Sequence, residues 1–209
     1  MSLFYRVKEI ESSDFQAAIE IYEKAFPDRE RVTISSLVDR IRSNTYQVFV
    51  KKEDNRVIFM AVLCKPILEE FVLLGYLATH PDFRNRGLGT LFVNDTLEKL
   101  RSRSQYLLLE VEDPHIGFDT ELKQRRVNFY RRLGAKQLKN VRYILPPLSG
   151  GESTEMILML APQYPANRIL GERVKQLITQ LYLTFYDRQI DDPLLRSIWQ
   201  TIGESVELI

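Results

Sequence analysis

"THPDFRNRGLGTLF", residues 79–92, is the stretch on which the reading of this chain depends. Two glycines, Gly87 and Gly89, stand beside Arg84 and Arg86, between one apolar run and another. Glycine at such a point marks a tight turn as readily as a cradle for an anion. The three-glycine spacing of a dinucleotide fingerprint is missing, and no Gly-Lys-Ser/Thr of a Walker loop follows. The surroundings must decide.

Immediately upstream, "EEFVLLGYLATH" (69–80) reads as a long strand. Downstream, from Gly89 to about Ser102, the residues Leu91, Phe92, Val93, Leu97 and Leu100 cover a wide apolar arc of a helix. "YLLLEVED" (106–113) is then a nearly continuous apolar strand, as expected where both faces are covered. The glycines therefore fall where a strand hands over to a helix. A helix N-terminus offers unpaired N–H groups and a positive dipole end, which suit a bound phosphate. Glycines there let an anion approach the main chain, and the two arginines add local positive charge. Gly75 interrupts the apolar strand, where glycine marks a bulge or a close backbone approach.

Further out, "FYRVKEI" (4–10) alternates as a strand does, and Ser13 precedes a helix carrying Phe15, Ala18, Ile19, Tyr22 and Phe26, stopped by Pro27. A short helix follows Thr33. "YQVFVKKEDNRVIFMAVLCK" reads as an antiparallel hairpin turning at "EDN". Leu122 to Leu133 forms a helix with Gly134 as its stop. "KQLKNVRYILPP" and "TEMILMLAPQ" are two closing strands joined by "PPLSGGES". The strand–helix–strand unit from 69 to 113 requires a parallel pair within an otherwise largely antiparallel sheet. The fold class is α+β. After "APQYPAN" the pattern changes to two amphipathic helices, the second capped by Asp192 with Pro193 in its first turn. The chain thus divides into a core, 1–165, and a helical extension, 166–209, packed on or adjoining it.

The 209 residues carry a formal net charge of +1, so no global field draws the protein to nucleic acid or to an anionic membrane. Any anion recognition must be local. The single cysteine, Cys64, lies in an apolar run and reads as a small buried hydrophobe, which suits a reducing compartment. The N-terminal residues lack the apolar core of a signal peptide, no apolar run approaches membrane-spanning length, and the cytoplasm is the default. His80 and His115 read as loop residues, and no ligand-spaced cluster supports a metal site.

"LATHPDFRNRGLGTLF" resembles the acetyl-CoA-binding motif of the GCN5-related N-acetyltransferase (GNAT) superfamily: Arg or Gln, two residues, Gly, one residue, Gly or Ala. Here it is Arg84-Asn85-Arg86-Gly87-Leu88-Gly89, after a strand ending in "LATHP". "VNFYRRLGAK" resembles the same superfamily's tyrosine-bearing helix, which ends in Leu-Gly and enters a strand. The two motifs cover about 69–137, and the element order extends the likeness to roughly 1–162. The resemblance implies acetyl-CoA as cosubstrate, with the backbone N–H groups of Arg86, Gly87, Leu88, Gly89 and Thr90 on its pyrophosphate. It implies that main-chain groups of Leu77, Ala78 and Thr79 pair with the pantetheine arm as a neighbouring strand would, and that the parallel pair splays near a bulge.

Acetyl transfer to an amine needs a neutral nucleophile, a stabilised oxyanion and a proton for the departing thiolate. Tyr130 matches the superfamily's general acid, and a strand amide near Ala78 would meet the oxyanion. Many members carry a glutamate on the strand before the glycine loop; this sequence has Leu73, Leu74 and Gly75 there, so that role does not transfer. Glu69 and Glu70 start that strand. Glu110 and Glu112 share one face of the next strand by its period of two, near the expected splay, and Glu110 is our candidate base. A structural pairing of that glutamate with Arg126 is the other reading of it. Lys123 stands where the superfamily often has a CoA-contacting asparagine, in a basic run with Arg125, Arg126, Arg131 and Arg132 that reads as a solvated face or as a site for the nucleotide 3′-phosphate.

The expected function is a cytoplasmic acetyl-CoA-dependent N-acetyltransferase acting directly on a primary amine of a small molecule or peptide. The C-terminal hairpin would wall the acceptor groove or form a homodimer interface. Two other classes stay open: a non-catalytic acyl-CoA-binding module, and a protein-interaction module using the hairpin.

Overall fold

The strands read from the sequence assemble into one eight-stranded sheet in the computed structural model, which describes residues 3–148, 152–162 and 164–209. The strands are β1 (Tyr5–Val7), β2 (Tyr46–Glu53), β3 (Arg56–Cys64), β4 (Phe71–Thr79), β5 (Tyr106–Glu112), β6 (Lys136–Gln137), β7 (Tyr143–Leu145) and β8 (Thr154–Ala161). Their order is β1-β2-β3-β4-β5-β8-β6, with β7 also on β8. Every pairing is antiparallel except β4 with β5, which is parallel across the helix that follows the glycine loop.

Six helices cover the sheet: α1 (Ser13–Ala25), α2 (Ile34–Arg42), α3 (Leu88–Arg101), α4 (Thr120–Arg132), α5 (Gly171–Phe185) and α6 (Pro193–Gln200). Side chains alternate along each strand, so the core splits into two apolar clusters, one on each face. On one face α1, α2, α5 and α6 pack over Val48, Met60, Tyr76 and Leu108. On the other, α3 and α4 pack over Ala61, Leu74, Leu109 and Val111. Short polar side chains start the helices: Ser12 accepts from Phe15 N at 3.2 Å, Thr33 from Ser36 N at 3.2 Å, and Asp192 from Leu194 N at 2.8 Å. The first of these caps is Ser12, one residue before the serine expected from the sequence.

Two features depart from the sequence expectation. The closing strand read over "KQLKNVRYILPP" is two short ones, because Asn140 turns through a positive φ of 60° between them. Both still pair with β8, Lys136 opposite Leu160 and Tyr143 opposite Met156. The extension holds two strands besides its helices, β9 (Arg168–Leu170) and β10 (Ser205–Glu207), which form a separate antiparallel ribbon. The apolar stripe of α5 is not left open: Val174, Leu177, Ile178, Leu181, Tyr182 and Phe185 are fully buried in the same cluster as the sheet. The linker "PPLSGGES" lies partly outside the described residues. No helix among the described residues is long and apolar enough to cross a membrane.

Candidate active site

Gly75 is the extra residue of a bulge: Val62 faces Tyr76 while Leu63 faces Leu74. Just before it the parallel pair comes apart. Pairing of β4 with β5 covers Phe71↔Tyr106, Val72↔Leu107 and Leu73↔Leu108 and goes no further. Yet β4 stays paired to β3 out to Thr79, and β5 to β8 out to Glu112. Each strand is held by its outer neighbour while the inner edges separate. Main-chain groups of Leu77, Ala78 and Thr79 on the β5 side are thus left without a strand partner. A groove of about 520 Å³ occupies the gap. It runs from the glycine loop, along Leu73–Thr79 and Glu110–Glu112, to Phe26, Val32, Leu145 and Tyr186.

At one end of the groove, α3 begins without a side-chain cap, because its N-cap residue is Gly87 in the left-handed region at φ 72°. The first helical bond runs from Leu91 N to Gly87 O at 3.0 Å, so the N–H groups of Leu88, Gly89 and Thr90 have no acceptor within the helix. The two glycines do different things. A Cβ on Gly87 would meet nothing within 4 Å, so its backbone conformation requires glycine there. A Cβ on Gly89 would sit 3.4 Å from both Leu77 Cδ2 and Phe129 Cζ, at van der Waals contact, so this position faces β4 and α4.

The arginines also divide. Arg86 donates to both oxygens of Glu53 at 2.8 and 2.9 Å and lies over the Phe83 ring, which offsets its charge and fixes it to the end of β2. Arg84 lines the groove and forms no ion pair among the described residues. His80 is more than a loop residue: its Nδ1 accepts from Asp82 N, and its Nε2 lies 2.9 Å from Arg56 Nη2.

Tyr130 projects from α4 into the groove, its ring 4.9 Å from that of Phe129. Among the described residues no hydrogen bond engages its hydroxyl. Burial pushes the Tyr130 pKa up to about 12, against a smaller downward pull from Arg126. At neutral pH it carries its proton, the state a general acid needs.

Glu110 opens onto the groove from β5. Tyr143 donates to its Oε1, and Tyr186 donates to both of its oxygens, at 2.5 Å to Oε1. Burial holds the Glu110 carboxyl above the usual carboxylate range, while the two hydroxyls pull the other way. The tyrosine hydroxyls are themselves pushed well above their ordinary values, so they act as donors. The structural pairing weighed for Glu110 belongs to its neighbour. Arg126 pairs with Glu112, whose other oxygen lies 3.9 Å from Lys123 Nζ. Lys123 also donates to Ile116 O at 2.6 Å, and Arg125 pairs with Glu121, so much of the basic run is engaged within the protein. Arg125 and Arg126 line the groove as well.

Tyr143 and Tyr186 went unread in the sequence. One is 33 residues from Glu110 and the other 76, and each sits in an ordinary strand or helix pattern. No local signal marks either. Among the described residues no cluster of His, Cys, Asp or Glu could hold a metal ion.

Residues 44–134, which include the unpaired edge, the glycine loop and Tyr130, match the family model of the acetyltransferase (GNAT) domain. No curated protein matches the sequence. Among solved structures, a protein from Bacteroides thetaiotaomicron assigned to the GNAT family is similar with a TM-score of 0.71 at 23% identity, over 89% of this chain and 99% of that one. An aminoglycoside 6′-N-acetyltransferase complexed with coenzyme A gives 0.56 at 15% identity, over 78% and 98%. The ribosomal-protein-S18-alanine N-acetyltransferase from Escherichia coli gives 0.55 at 20%, over 80% and 98%. The segment from 44 to 134 matches that family's model, and the sheet that carries the groove has the fold of these acetyltransferases.

Proposed function

We propose that the protein is an acetyl-CoA-dependent N-acetyltransferase that acts directly on a primary amine of a small molecule or peptide. The observation that carries this is the continuity of the groove. An unpaired strand edge leads into an uncapped helix N-terminus, and Tyr130 and Glu110 line the same space. These features fit the cosubstrate. The free N–H groups of Leu88, Gly89 and Thr90 suit its pyrophosphate, with those of Arg86 and Gly87 beside them. The edge formed by Leu77, Ala78 and Thr79 suits an amide-bearing arm that pairs as a strand does.

Acetyl-CoA supplies an acetyl group activated as a thioester. The protein's part is to hold, orient and move protons. Glu110 takes a proton from the ammonium of the acceptor; its pKa above the usual range brings it closer to the amine and makes it a better base. Strand amides near Ala78 face the place where negative charge develops. Tyr130 gives its proton to the sulfur as the thiol leaves. A cytoplasmic location belongs to this reading, with the one buried cysteine in keeping. We treat 1–165 as the acetyltransferase domain and 166–209 as its extension, a wall of the acceptor side through Tyr186. A homodimer remains part of the proposal only as a question of oligomeric state.

Calorimetric titration with acetyl-CoA tests the reading, beside a variant carrying Gly87→Val and Gly89→Val. Binding by the parent and its loss in a still-folded variant are expected. Absence of binding by the parent removes the cosubstrate and the enzyme with it.

A further inference from the structure

The residues lining the groove separate by charge and by face. Its cations, Arg84, Arg86, Arg125 and Arg126, come from the glycine loop and α4. That is the side of the sheet where Leu77, Phe129 and Tyr130 pack. The opposite half is walled by Phe26, Val32, Tyr76, Leu148, Met156 and Tyr186, all of them in or against the other cluster. Its interior charge is the Glu110 carboxylate, and Glu30 stands at its edge with the same sign. The cations beside this half are engaged elsewhere: Arg40 by Phe185 O, by Asp187 Oδ2 at 2.7 Å and by the Tyr46 hydroxyl at 2.9 Å, Arg31 by Asp28 and Glu23, and Arg188 by Pro147 O at 3.3 Å.

Resting on the N-acetyltransferase reading above, we infer that the acceptor is a primary monoamine with an apolar body and no carboxylate, its ammonium received by Glu110. An α-amino acid would bring its carboxylate into this half with no lining cation among the described residues to meet it. An unpaired charge in such surroundings is strongly disfavoured. A polyamine or an aminosugar would bring several ammonium or hydroxyl groups against Phe26, Val32, Leu148 and Met156, which can satisfy none of them, and the Glu30 carboxylate at the edge already has a partner of its own. The transfer itself balances simply. The C–N bond forms as the C–S bond breaks, and of the two protons lost by the ammonium one ends on the CoA sulfur and the other in solvent.

The test compares kcat/KM, read by thiol release, for 2-phenylethylamine, phenylalanine, spermidine and a short peptide with a free N-terminus. 2-Phenylethylamine and phenylalanine differ only in the carboxylate. 2-Phenylethylamine is expected to exceed phenylalanine by roughly a hundredfold or more, and to exceed the other two as well. In Leu148→Lys, which sets a cation in the same wall, the gap to phenylalanine should narrow by roughly tenfold, with acetyl-CoA binding by calorimetry unchanged. A preference for phenylalanine, spermidine or peptide overturns the acceptor class while leaving the acetyltransferase standing. So does a protein that binds acetyl-CoA and turns over none of the four, and so does a ratio unmoved by Leu148→Lys. Failure to bind acetyl-CoA overturns both readings together.

Discussion

Tyr186→Phe removes one of the two hydroxyls that hold Glu110 and leaves the ring, which packs at the end of the groove, in place. A hydrogen bond to a charged group contributes about 1.5–3 kcal/mol, whereas one to a neutral group contributes about 0.5–1.5. At about 1.4 kcal/mol per pKa unit, the lost preference for the ionised form raises the Glu110 pKa by about one unit, and up to about two. The direction matters because burial already holds this carboxyl above its usual range. For such a group the unfolded chain ionises first as pH rises. Stability is therefore greatest below the unfolded pKa and is lost as pH rises through the folded pKa. Raising the folded value further widens that window. Thermal or urea unfolding of Tyr186→Phe should show a loss of about 1.5–3 kcal/mol at about pH 8 and a clearly smaller loss at about pH 4.5. The acid limb of kcat/KM against pH should move up by about one unit with the best amine acceptor. An unmoved acid limb, together with an equal loss of stability at both pH values, would refute the reasoning, since the hydroxyl would then be indifferent to the charge on Glu110.

Tyr130→Phe should lower kcat by about 10²- to 10⁴-fold while acetyl-CoA affinity holds. Its stability should change by less than about 0.5 kcal/mol, since the hydroxyl has no protein partner among the described residues; an unchanged kcat in the thiol-release assay would remove Tyr130 as the acid. Gly87→Ala places a Cβ at φ 72° and should cost about 1–2 kcal/mol in urea unfolding, with no clash to add to the strain. Arg40→Met withdraws donors from Phe185 O, Asp187 and the Tyr46 hydroxyl and should cost about 1.5–3 kcal/mol, since these bonds tie the end of α5 to α2 and β2. Truncation after residue 165 removes α5, six of whose side chains are fully buried against the sheet, and uncovers the apolar face beneath them; at about 1.5–3 kcal/mol per buried side chain the shortened chain should fail to fold, and a soluble, cooperative unfolder would show that the core stands alone.

The elements around the glycine loop were legible because each depends on residues a few positions apart. The bulge at Gly75, the start of α3 beside the glycines and the stop at Gly134 appear where the pattern put them, and the splay beyond Leu73 lies near the bulge as the resemblance implied. The errors also have local causes. "KQLKNVRYILPP" contains enough β-formers to pass for one strand, and only the turn at Asn140 divides it. The ribbon of β9 and β10 was missed because three-residue strands 35 or more positions apart leave no periodicity to read.

By itself the sequence determined the α+β class, the single parallel crossover, the place of the glycine loop and the helix that carries Tyr130. Each follows from side-chain period or from a short motif, and both are properties of neighbouring residues. Only the tertiary structure decided the electrostatics of the groove. It spent Arg86 on Glu53 and Arg126 on Glu112, left Arg84 facing the groove, and brought Tyr143 and Tyr186 onto Glu110. The physical reason is that a charge's state depends on what packing brings within about 4–6 Å of it. For Glu110 those partners come from a strand and a helix far along the chain, and the packing of α5 onto the sheet is what sets them there.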